Sequence, residues 1–134
     1  PVTMYGLDVF YDPLVTDTDV DGLRALGTAV ADLAAGLISF HHRRFANVGA
    51  TIGDAGAVGI LIDPDAVVTQ RLPVRVELTG TWTRGRTVVD RRDWDGHLAH
   101  DPHGLAPAQV DVCLSIDGPR IAELWVRTVR GEAS

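Results

Sequence analysis

The stretch GATIGDAGAVGILIDPD, residues 49–65, limits the fold more than any other part of this chain. A small-residue turn leads to Asp54, and an apolar run follows until Asp63-Pro64. Ala55, Ala57, Val58, Ile60, Leu61 and Ile62 leave a helix over residues 54–62 apolar on nearly every face, so that helix is expected to be buried. Gly56 and Gly59 lower its helix propensity by about 1 kcal/mol each relative to Ala. Residues that weak in a helix imply close packing, or space left for a ligand at Gly56.

The rest of the chain supplies the elements that could surround it. Residues 2–10, VTMYGLDVF, read as a buried strand that ends at Tyr11-Asp12-Pro13. Thr16 or Thr18 can cap a short helix that stops at Gly27. A longer helix starts near Thr28, carries Val30, Leu33, Leu37, Ile38 and Phe40 at helical spacing, and ends in the basic patch His41-His42-Arg43-Arg44. Beyond residue 70 the pattern alternates. Val74, Val76 and Leu78 point inward against Arg75, Glu77 and Thr79, and Arg84-Gly85 turns the chain back as a hairpin. Residues 90–107 read as a polar surface loop. Val110, Val112 and Leu114 alternate in a further strand, and Asp117 caps a last helix with Pro119 in its first turn, ending before Gly131. The order β-α-α-α-β-β-β-α is that of an α/β protein without strict alternation.

Composition narrows the function. The 134 residues suit one domain with a real core. A formal net charge of −6 argues against a nucleic-acid partner. No apolar run approaches the roughly 20 residues that cross a bilayer. The first residues show neither the basic start nor the cleavage site of a secretory leader, and the single cysteine, Cys113, excludes an internal disulfide. Together these lead to the expectation of a cytoplasmic location.

Chemical motifs are sparse. Asp54 reads either as a first-turn acid that favours the helix dipole or as a ligand in the crevice where loops meet helix starts. His97, His100 and His103 match no closed zinc site and read as solvated. The FHHRR segment reads as a helix C-terminal patch, and Cys113 as core. Ser39 and Ser115 lack a neighbouring His–Asp arrangement, and no phosphate-binding glycine loop occurs.

Four segments in order add a resemblance to the inosine–uridine-preferring nucleoside hydrolases. PVTMYGLDVF resembles the family's VTMVGLD(V/L)T strand, and GDAGAVGILIDPD its HDPxAVAYxIDP segment. LPVRVELTGTWTRGRTVVDRR is similar to its PVDVELTGxLTxGxTVVD hairpin, and AQVDVCLSIDGPRIAELWVRTV to its final strand and helix. The match implies that residues 1–134 are a C-terminal portion of that fold: an open, mostly parallel sheet with helices, then a hairpin, a strand and a helix. The N-terminal half, with its DxDxxxDD calcium cluster, is absent from it.

By the same resemblance Asp54 ligates calcium and contacts ribose. Gly53 stands where the family has a His that protonates the leaving base, and Ala55 where it has Pro. Tyr11 falls on a second family His, and His41 and Phe45 fall loosely on aromatic residues near the base. The reaction implied is hydrolysis of the N-glycosidic bond of ribonucleosides to ribose and free base. This chain is expected to be inactive in isolation, to bind no calcium unaided, and to pair with an N-terminal half or with another copy through residues 2–10 and 54–62. The alternative is a non-catalytic nucleoside-binding or assembly module that has lost the catalytic His.

Overall fold

A computed structural model describes residues 1–45, 50–92 and 106–132. The elements are β1 (Thr3–Met4), α1 (Leu7–Phe10), β2 (Leu14–Val15), α2 (Asp17–Arg24), α3 (Ala29–Phe45), β3 (Ala50–Thr51), α4 (Asp54–Ile62), β4 (Val67–Val76), β5 (Thr87–Val89), β6 (Ala108–Ile116) and α5 (Gly118–Arg130), with a 3₁₀ turn at Pro64–Ala66. They form two compact units. One holds residues 1–4 and 69–113, and the other residues 5–68 and 114–134.

The first unit is built on a mixed sheet in the order β1-β6-β4-β5. β1 runs parallel to β6, and β5 antiparallel to β4 with Val74 opposite Val89. β6 lies between two neighbours, so Val112 and Cys113, which point to opposite faces, are both buried. Burial in this apolar setting raises the Cys113 thiol pKa. The expected inward alternation of Val74, Val76 and Leu78 holds only in part. β4 begins at Val67, Leu72 and Val74 are buried, and Val76 and Leu78 are exposed. The reason is the short partner strand. Pairing ends at Val76–Thr87, and the chain then enters the turn. There Glu77 accepts hydrogen bonds from the backbone N–H groups of Thr79 and Gly80 at 2.8 and 3.0 Å. Gly85 closes the turn at φ 86°, donating to the Glu77 carbonyl.

The second unit carries the helices. Thr16 caps α2 in a reciprocal capping box with Asp19. The core joins Val15, Val20, Leu23, Ala31, Ala35, Ile38, Ala50 and Val126. On α3 the inward side chains are Ala31, Ala35 and Ile38, while Val30, Leu33, Leu37 and Phe40 are exposed. Helical spacing finds an apolar stripe but does not say which stripe a neighbour covers. Here the small side chains win because they let α2 approach closely. α5 follows the sequence closely: Asp117 accepts from the Arg120 N–H, Pro119 lies in the first turn, and Gly131 ends the helix at φ 76°.

Two expectations are corrected. Residues 2–10 are not one strand, because only Thr3–Met4 is extended and Leu7–Phe10 is helical. Gly6 breaks the run, and its carbonyl accepts from both Val9 and Phe10 at 3.1 Å. Nor is α4 covered all round. Gly56, Gly59 and Ile60 are buried, whereas Val58, Leu61 and Ile62 are exposed, Leu61 to 76%. Within its unit α4 has neighbours on one side only. There Gly59 lies against Ile121 of α5, and Asp63, just past its end, makes a two-pronged pair with Arg120 at 2.6 and 2.7 Å.

Gly118→Ala should destabilise the second unit by about 3 kcal/mol, because the new Cβ would overlap the Asp12 carbonyl group. Urea unfolding of the variant checks this. The hairpin turn should be acid-sensitive. Backbone hydrogen bonds from Thr79 and Gly80 lower the Glu77 pKa, and the Arg92 side chain lowers that of Asp90 to about 2. Depressed carboxyl pKa values mean that the stabilisation is complete above the ordinary carboxylate range. It fades as pH falls below that range, through Glu77 and through Asp90 near pH 2. Amide exchange at Thr79 and Gly80 should accelerate over that window, and Glu77→Gln should remove the part that Glu77 contributes.

Candidate functional site

Three of the sequence candidates, Gly53, Asp54 and Tyr11, surround or border one helix start. Residue 53 precedes α4 with φ 54° and ψ −123°, a backbone conformation open mainly to glycine. Asp54 is the first helical residue. It is exposed, and no side-chain hydrogen bond caps this end of the helix. The carboxylate therefore adds a favourable charge near the helix dipole without closing any backbone donor.

The surroundings are aromatic. A Cβ built on Gly53 would stand 3.0 Å from Cζ of Phe10. Phe10 meets Tyr11 edge-on at 5.2 Å between ring centroids and lies 6.2 Å from Tyr5. The Tyr5 hydroxyl lies where a side chain on Gly56 would otherwise stand. Gly56 therefore gives its space to Tyr5 and not to a ligand. Tyr11 remains 59% exposed. Gly53, Asp54 and Tyr11 are thus brought to one place, linked through Phe10.

His41 belongs to a different contact. It is half-buried near the end of α3, with its ring 4.7 Å from that of Phe45. Its Nδ1 is shut away from water with no hydrogen-bond partner among the described residues. Its neighbour His42 pairs with Asp17 at 2.9 Å, and the basic last turn of α3 suits the helix dipole as expected. His97, His100 and His103 lie outside the described residues.

Tyr5 and Phe10 are the residues that sequence reasoning missed. The signal was present as two aromatics flanking GLDV and two small residues, Gly53 and Gly56, that accept them. A strand reading of residues 2–10 hid it, because only the helical turn of α1 carries Phe10 back over Gly53.

Calcium can be tested against this geometry. It takes roughly six to eight oxygen ligands. Among the described residues no three His, Cys, Asp or Glu side chains converge to hold a metal. Asp54 offers one carboxylate, so the described residues alone do not fit the ion.

The sequence profile of the inosine-uridine preferring nucleoside hydrolases matches residues 1–123. The chain belongs to that family. This family member is 34% identical over 105 residues to the pyrimidine-specific ribonucleoside hydrolase RihA of Shewanella woodyi, covering 75% of the chain and 34% of that protein. It is 37% identical over 94 residues to the inosine-uridine preferring nucleoside hydrolase of Leishmania major, covering 68% of the chain and 30% of that protein. Among solved structures, a purine-preferring ribonucleoside hydrolase from Gardnerella vaginalis superposes with a TM-score of 0.76 at 27% identity, over 98% of the chain and 40% of that structure. A plant nucleoside hydrolase superposes at 0.77 and 20% identity, which speaks for the fold alone. The chain therefore has the α/β arrangement of part of the nucleoside hydrolase fold and spans about a third of the length of the curated relatives it matches. The three named specificities differ, so base preference does not transfer from any of them.

Asp54→Asn should leave stability within about 1 kcal/mol, because an exposed first-turn acid without a capping bond contributes little to the fold. Thermal unfolding of the variant beside the native chain checks this.

Proposed function

We propose that this chain supplies one wall of a ribonucleoside-hydrolysing site, with Asp54 facing ribose and a cation and with Tyr11 and His41 toward the base. The carrying observation is Asp54 itself. It is held at a glycine-built helix start, exposed, and unused by the local fold. In the reaction the C–N glycosidic bond breaks, a water oxygen joins the sugar carbon, and the base leaves carrying a proton. A carboxylate here can bind sugar hydroxyls and contribute one ligand to calcium, and the Tyr11 hydroxyl can donate a hydrogen bond to the base. No three ligating side chains converge among the described residues, which supports reading the chain as inactive and without calcium until a further segment supplies the remaining ligands.

The exposed Val58, Leu61 and Ile62 of α4 support a partner: a segment that completes the fold, or a second copy of the chain. Among the described residues no helix is long and apolar enough to cross a membrane. The single cysteine supports the reading of a cytoplasmic protein, and the net charge of −6 that of one without a nucleic-acid partner.

A second reading is a nucleoside- or ribose-binding or assembly module without turnover. It is favoured by Gly53, which has no proton to offer a leaving base.

The test combines the chain with the N-terminal segment of a family member and calcium, then measures free base. Base release from the mixture and none from either part is the expected result. Release by the 134-residue chain alone would refute the proposal, and nucleoside binding by calorimetry without turnover would select the second reading.

A further inference from the structure

The start of α4 does more than lack a side chain at position 53. Phe10 crowds the place where one would stand. A Cβ on Gly53 would lie 3.0 Å from Cζ of Phe10 and 3.6 and 3.7 Å from the two adjoining ring carbons. A contact of 3.0 Å is tighter than packed carbon atoms normally make, so a side chain at position 53 requires the ring to give way by a few tenths of an ångström. The backbone opposes a side chain independently, since φ 54° with ψ −123° strains any L-residue other than glycine. The Phe10 ring has neighbours of its own: it meets Tyr11 edge-on and lies 6.2 Å from Tyr5, and the turn of α1 that carries it is closed by the paired hydrogen bonds to the Gly6 carbonyl.

The geometry points to Phe10 as a specificity-determining residue: its ring crowds the place of a residue-53 side chain, so a leaving base beside Asp54 meets an aromatic wall instead of a proton donor. This rests on the hydrolase reading and adds a substrate class to it. A positioned general acid contributes about 10²–10⁴-fold where the leaving group needs a proton. Substrates favoured here are ribosides whose leaving group departs as a stable anion or is already protonated. Planar bases gain ring contact with Phe10 and Tyr11 but receive no proton from position 53.

The closing experiment is a cycle of Phe10→Thr and Gly53→His, with Gly53→Ala as a milder variant should the histidine prevent folding. In the 134-residue chain, substitution of Gly53 should lower the thermal midpoint by about 3–5 °C more with Phe10 present than in the Phe10→Thr background. In the assembly that releases base, the native sequence should cleave a nitrophenyl riboside at least about 100-fold faster than inosine. The double variant should narrow that ratio at least about tenfold, and Gly53→His alone should not. Additive midpoint shifts, or narrowing by Gly53→His alone, would overturn the role of Phe10 while leaving the hydrolase reading intact. Failure to cleave any riboside would overturn the hydrolase reading, and the specificity role with it, whatever the midpoints show.

Discussion

Close approach to the backbone of α4 organises the second unit. Tyr5 rests where a side chain on Gly56 would stand, and Ile121 presses on Gly59. Each contact is available because the helix gives up side chains at those two positions. The cost is about 1 kcal/mol of helix propensity per glycine, and the gain is apolar contact that a bulkier helix could not make. Once α4 is seated, Asp63 at its end reaches Arg120, and the Asp117 N–H donates to the Ala66 carbonyl at 2.8 Å. The start of α5 is thereby fixed to the chain that leaves α4. Gly118 then allows the segment before β2 to cross close by.

Local signals were legible where they are self-contained. The bounds of α4 follow from its small-residue entry and its Asp-Pro exit, and those of α5 from Asp117, Pro119 and Gly131, because each signal satisfies or removes a backbone group within a few residues. The strand reading of residues 2–10 failed for the complementary reason. Apolar, β-branched and aromatic residues suit a buried strand and a buried turn of helix alike, and Gly6 decided between them. Exposure was the least legible property. Of the periodic apolar positions Val30, Leu33, Leu37, Ile38 and Phe40, Ile38 joins the core, where Ala31 and Ala35 accompany it, and the other four are exposed. Periodicity records that a stripe exists, and only the positions of neighbours say whether it is covered.

The candidate site was legible as residues and illegible as an arrangement. Asp54, Gly53 and Tyr11 could each be marked from the sequence, but Tyr11 lies more than forty positions from the other two, on the far side of α3 in the sequence. Their meeting depends on Phe10, which no chemical motif singled out. His41 stands apart from the Phe10 group: its ring packs on Phe45, the other residue that the resemblance places near the base.

A residue that neither caps its helix nor fills the core is one that folding does not constrain. Asp54 meets that description, with its carboxylate left to solvent at a positive helix end. A carboxylate is a group that can accept hydrogen bonds from sugar hydroxyls and bind a hard cation. Gly53 and the rings of Phe10 and Tyr11 shape the ground beside it as apolar and without a proton donor at position 53. On the proposed reading, a carboxylate on the sugar side beside aromatic rings on the base side matches the division that a ribonucleoside presents to its binding site. The two halves of that surface are fixed by separate forces, the helix dipole for one and ring packing for the other. A change to either can therefore be read without disturbing its neighbour.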